Sequence, residues 1–183
     1  YTGSTILNGG TLYLSDVENA SKVFGGSTHK VVFNGGTLKF SYKKEDSQTL
    51  KFPIQVNEGT TSKIMVGTHG TLSSDVSGSG TLEMEIPYLR FNISGTLPNF
   101  NGRIIANGVP SIGTQSLFYH SSQWNSPNAT FTLKGKAYMG AWATNAVNVI
   151  GGLSGDAGTY LIGSSKQTAN FKCSWEVGGA NTD

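Results

Sequence analysis

Glu83 and Glu85 are a carboxylate pair two residues apart within an alternating strand run. An i, i+2 spacing puts both on one face of a strand, where paired carboxylates serve acid–base chemistry on sugars or hold Ca²⁺. Asp75 and Arg90 are the nearest further charges, so these four make up the local set closest to a sugar-cleaving site. Against that, Leu82, Met84 and Ile86 alternate with the glutamates and read as the buried set, which leaves the carboxylates on a solvated strand face. His29, His69 and His120 lie far apart and form neither His-x-x-His nor His-Glu-x-x-His, so neither a metal nor a cofactor is expected. Gly152-Leu153-Ser154-Gly155-Asp156 lacks the last glycine of a nucleophile elbow. Cys173, the single cysteine, alternates with Phe171, Trp175 and Val177 and reads as a buried thiol without a nearby histidine. No glycine-rich turn is followed by Lys-Ser/Thr, so none reads as a phosphate loop.

Aromatic side chains offer a second chemistry. Residues 116–142 hold Phe118, Tyr119, Trp124, Phe131, Tyr138 and Trp142. Of these, Tyr119, Trp124, Tyr138 and Trp142 are the candidate ligand-binding residues, because an aromatic face packs against the apolar C–H surface of a sugar ring. The competing reading is that they fill an interior, as aromatics in strands generally do.

Composition bounds what could position these groups. The 183 residues include 25 Gly, and 13% are charged, so many short strands joined by polar turns are expected. A net charge of +2 is too small to argue for nucleic acid or an anionic membrane, and neither nucleic acid nor a membrane span is expected. One cysteine allows no internal disulfide. No apolar run approaches the roughly 20 residues of a membrane span.

Strands follow from alternation of period two. Leu12 and Leu14 alternate with Thr11 and Tyr13; Leu38, Phe40 and Tyr42 share a face, as do Leu50, Phe52, Ile54 and Val56. Later runs are Ile64 and Val66, then Leu89, Phe91 and Ile93, Phe131 with Leu133, and Val147 with Val149. Residues 16–21 and the charged run Lys43–Ser47 read as connections. No segment sustains a helical period.

Asn8-Gly9-Gly10-Thr11-Leu12 returns as Asn34-Gly35-Gly36-Thr37-Leu38, and Gly-Thr-Leu recurs at Gly70, Gly80 and Gly95. Thr11 to Thr37 is 26 residues and Thr71 to Thr96 is 25, steps that suit one rung of a solenoid. Thr81, 10 residues after Thr71, suits the next strand of the same rung. The 34-residue step from Thr37 to Thr71 implies an insertion, best placed at Lys43–Ser47. The expected fold is therefore all-β, a single-stranded right-handed parallel β-helix, with a β-sandwich as the alternative. The expected stacking is Leu12 on Leu38 and Leu72 on Leu97. Asn-Gly-Gly also suits a hairpin, but the rung-length steps favour a corner within a rung.

Tyr1-Thr2-Gly3 followed by Asn8-Gly9-Gly10-Thr11-Leu12 resembles the autotransporter-associated β-strand repeat of long bacterial surface and secreted proteins. Weaker echoes are Leu97-Pro98-Asn99-Phe100-Asn101-Gly102, Ile150-Gly151-Gly152-Leu153-Ser154-Gly155 and Trp175-Glu176-Val177-Gly178-Gly179 through Asp183. The resemblance implies a β-helix serving as stalk or passenger, secreted or displayed at the outer membrane, with no catalytic residues to carry over. On that reading, residues 1–183 are one β-helix segment of something longer. It is a non-enzymatic spacer, whose partners are adjacent repeats or domains of the same chain and glycans or host surface molecules. Two alternatives stand beside it: a carbohydrate-binding or adhesive module using residues 116–142, and a fragment of a β-helix polysaccharide lyase or hydrolase.

Overall fold

The computed structural model describes residues 3–14, 28–40, 48–66, 69–87, 90–97, 99–110, 115–143, 145–163 and 172–179. Tyr42, Leu89, Pro98, Phe171 and the connections at 16–21 and Lys43–Ser47 lie outside them, as do the chain's first two and last four residues. Nineteen strands and no helix make up the described chain. They begin with β1 (Thr5–Leu7), β2 (Thr11–Leu14), β3 (Val31–Phe33), β4 (Thr37–Phe40) and β5 (Gln48–Leu50). The next two rungs are β6 (Ile54–Val56), β7 (Thr61–Met65), β8 (Gly70–Leu72), and β9 (Val76–Gly78), β10 (Thr81–Ile86), β11 (Arg90–Ile93). There follow β12 (Asn99–Phe100), β13 (Arg103–Gly108), β14 (Ser116–His120), β15 (Asn125–Gly135), β16 (Ala137–Ala141), β17 (Ala146–Gly155), β18 (Tyr160–Leu161) and β19 (Cys173–Val177).

Strands two or three apart in the chain pair in parallel, giving three faces: β1-β3-β6-β9-β12, β2-β4-β7-β10-β13-β15-β17-β19 and β5-β8-β11-β14-β16-β18. The result is a right-handed parallel β-solenoid of about six turns. A β-sandwich, the alternative, is ruled out because each strand pairs with its counterpart one rung away instead of with its chain neighbour.

The Asn-Gly-Gly turn is a corner, since β1 and β2 belong to different faces. Its asparagines form a ladder from rung to rung: Asn34 Nδ2 donates to Asn8 Oδ1 at 3.1 Å, and Asn57 Nδ2 to Asn34 Oδ1 at 3.4 Å. Glycine serves two different needs at corners. Gly35 takes φ 103°, a left-handed conformation that costs a residue with a Cβ. Gly95 has no such φ, but a Cβ there would stand 2.1 Å from Ser74 O on the rung below.

Register shows where repeat spacing misleads. Leu12 pairs with Leu38, as expected, and Leu38 pairs with Ile64. Thr37 therefore meets Lys63, again 26 residues on, and no insertion separates these strands. Thr71 sits on the third face and Thr81 on the second, with β9 between them, so they are not consecutive strands. Leu72 pairs with Leu50 and Ile93, and not with Leu97, which lies beyond β11. The physical reason is that Gly-Thr-Leu only needs a turn followed by an inward leucine, and every corner of the solenoid supplies that.

Stacked columns fill the interior. Leu38, Ile64, Met84 and Ala106 form one, Val31, Ile54 and Val76 a second, and Phe91, Phe118 and Met139 a third, with every member at most 1% exposed. Each large side chain buried this way contributes about 1.5–3 kcal/mol, set against the entropy lost in ordering the chain. In β17 the inward residues are Ala146, Asn148 and Ile150, while Val147 faces out. Asn148 earns its place inside by accepting from the Trp124 backbone N–H at 3.0 Å and donating to Ser174 O at 3.3 Å.

Candidate functional site

The structure separates the four charges that sequence grouped. Glu83 and Glu85 point outward from β10 on the second face, as their alternation predicts. Lys63 Nζ, one rung away on β7, lies 3.3 Å from Glu83 Oε1 and 3.2 Å from Glu85 Oε2. Asn107 Nδ2, one rung the other way, donates to Glu83 Oε1 at 2.9 Å. Desolvation works against the Lys63 charge, but its hydrogen bonds to Glu85 and Glu83 outweigh that and hold its pKa above the usual lysine value. Asp75 is used at a corner instead, where Oδ1 accepts from Thr96 Oγ1 at 2.5 Å and from its backbone N–H at 3.3 Å. Arg90 stands on the third face, at the start of β11.

The other nucleophile and ligand candidates are also dispersed. His29 is buried, with Nε2 2.9 Å from Thr5 Oγ1. His120 uses both ring nitrogens: Ser122 N–H donates to Nδ1 at 3.1 Å, so the ring proton sits on Nε2 and faces Gly95 O at 3.2 Å. Burial lowers its pKa, and the bond to Gly95 acts in the opposite direction. Among the described residues, no three His, Cys, Asp or Glu side chains converge where a metal ion could sit. Ser154 pairs its hydroxyl with Thr132 Oγ1 at 3.0 Å. Cys173 is half-buried rather than enclosed, on β19, which is the end strand of the second face. Burial raises its thiol pKa, with hydrogen bonds to Trp175 and Asn148 acting the other way, and Sγ–H is directed at Gly163 O.

The aromatic set divides in three. Trp124 has no exposed surface: its ring packs 5.2 Å from Phe118 and 5.1 Å from Phe131, and Nε1 donates to Gly140 O at 2.8 Å. It is a core residue and contributes nothing to an outer surface. Tyr138 stacks on exposed Tyr160, centroids 4.8 Å apart and planes 24° apart, on the outside of the third face. Tyr119 and Trp142 come together, centroids 5.1 Å apart.

Around that last pair lies a cleft of about 390 Å³, lined by His69, Thr71, Arg90, Asn92, Tyr119 and Trp142, with Gly70 and Ser121 completing it. Register explains the convergence. Thr71, Asn92 and Tyr119 are consecutive members of one outward column across β8, β11 and β14. In that column Tyr119 pairs with Gly140, which has no side chain, and the indole of Trp142 just beyond it packs on Tyr119. Trp142 thereby reaches Arg90, whose guanidinium carbon is 5.9 Å from the ring centre. Burial, and secondarily the Arg90 charge, lowers the pKa of His69, while burial raises that of Tyr119 against the opposing effect of Arg90. One permanent cation, an aromatic floor, and hydroxyl and amide groups are thus gathered in one place.

Sequence reasoning singled out Tyr119 and Trp142 but did not join them to His69, Thr71, Arg90, Asn92 or Ser121. The signal that could have joined them is the outward column, and reading it requires the register that Gly-Thr-Leu obscured. Compared with family models, curated proteins and solved structures, the chain matches none.

Proposed function

We propose that this chain is a non-catalytic structural segment, a stalk or spacer of a large secreted or surface-displayed bacterial protein of the autotransporter-associated repeat kind. The observation that carries this reading is the use made of the paired carboxylates. Glu83 and Glu85 are tied to Lys63 below, and Glu83 also to Asn107 above, so the groups best suited to acid–base chemistry join rungs together. Stacked rungs suit a spacer because neighbour contacts supply stability and each added rung extends the rod by about 4.8 Å.

Antibodies raised against the 183-residue chain should label intact cells of the source organism or find the protein in the culture medium. Labelling confined to permeabilised cells overturns the reading. The non-catalytic part fails if the chain releases unsaturated or reducing sugar from a polysaccharide panel and Glu83→Gln abolishes that release.

A further inference from the structure

We propose that the Arg90–Tyr119–Trp142 cleft binds a carboxylate-bearing sugar residue of an acidic polysaccharide, a role beyond that of a spacer and independent of it. Its volume of about 390 Å³ lies within the range of small-molecule sites, about 300–1,000 Å³. The ion pairs among the described residues are both made by Lys63, so Arg90 is charged and in neither of them. Its guanidinium carbon lies over the Trp142 ring, 5.9 Å from the centre, which places the cation in the cleft, and a planar guanidinium fork suits two-pronged capture of a carboxylate.

The remainder of the lining matches a sugar better than a free inorganic anion. Trp142, half-buried and packed on the buried ring of Tyr119, brings aromatic surface to the cleft for C–H groups. Thr71 and Ser121 supply hydroxyls, and Asn92 an amide, for hydrogen bonding to sugar hydroxyls. Asn92 Oδ1 is buried and has no hydrogen-bond donor among the described residues. Among the described residues Arg90 is the only lysine or arginine in the lining, which suits a single carboxylate per site and not a polyanionic strand.

The test titrates the full chain with a panel of oligouronates, with the same oligomers reduced at the carboxyl to neutral sugars, and with inorganic phosphate and sulfate. Binding is read by calorimetry and by the indole N–H resonance of Trp142. At least one oligouronate should bind and shift that resonance, and carboxyl reduction should weaken it about tenfold or more. Arg90→Gln should weaken binding by about 10–100-fold. Arg90→Lys, which keeps the charge and loses the fork, should fall between, and Lys39→Gln on the second face should leave binding unchanged. Circular dichroism of each variant separates lost binding from lost fold, and Arg90→Lys keeps the test usable if Arg90→Gln does not fold. The proposal is overturned if no oligouronate binds, if the reduced oligomers bind equally well, if Arg90→Gln binds like the parent, or if phosphate or sulfate binds as tightly as the oligouronate.

Discussion

Trp124 links packing to polar satisfaction within a single side chain. Its indole fills the space between Phe118 and Phe131, and its N–H satisfies the carbonyl of Gly140. Trp124→Phe keeps most of the volume and removes one hydrogen bond to Gly140 O, so it should cost about 0.5–1.5 kcal/mol in denaturant unfolding. Trp124→Ala adds a cavity and should cost about 3–5 kcal/mol. Histidines add a pH dependence. Burial holds His69 and His120 below the ordinary value of 6.5, so the unfolded chain binds protons more readily than the folded one. Their contribution is fully present above pH 6.5 and is lost as pH falls through the lowered folded values. The melting temperature should therefore drop on acidification below that point, and His120→Gln should flatten the drop. Alternation in the sequence placed Phe131 and Leu133 inward, as found. It could not place Trp124, which lies between β14 and β15 where a period of two has no hold.

Corners decide the arrangement of the strands. A residue in a strand tolerates a change that a corner glycine does not, because neighbouring rungs nearly touch there. Gly95→Ala would press a Cβ to 2.1 Å from Ser74 O, and should destabilise by about 3 kcal/mol. Gly9→Ala meets nothing within 4 Å and takes no left-handed φ, so it should be close to neutral, and paired thermal melts of the two variants check the contrast. Asn-Gly-Gly was readable as a turn from sequence, since its chemistry demands one. The same chemistry permits a hairpin, and what distinguishes a corner is the parallel pairing of β1 with β3 and of β2 with β4, together with the Asn8–Asn34–Asn57 ladder across three rungs. The charged run at Lys43–Ser47 looked like an insertion because the count was taken from Thr37 to Thr71, two positions on different faces.

At the scale of the molecule, the class of fold was legible and the register was not. Alternating apolar residues, glycine-rich turns and the 26-residue step from Thr11 to Thr37 suffice for a parallel solenoid, whereas the 25-residue step from Thr71 to Thr96 is not a rung. The true rungs are uneven: Leu38 to Ile64 is 26 residues, Ile64 to Met84 is 20 and Met84 to Ala106 is 22. Corners absorb the differences while the paired strands stay in step, so a fixed period drifts off the faces after two turns. The cleft was hidden for the same reason, since Arg90 and Trp142 are 52 residues apart and two strands apart. The most direct test of the account is the pattern of nuclear Overhauser contacts around the Asn-Gly-Gly corners. A stacked solenoid predicts contacts of Leu38 with both Leu12 and Ile64, and of Leu72 with Leu50 and Ile93. Strong Hα–Hα contacts across the turn, between residues 5–7 and 11–14, would instead mean an antiparallel hairpin and contradict it.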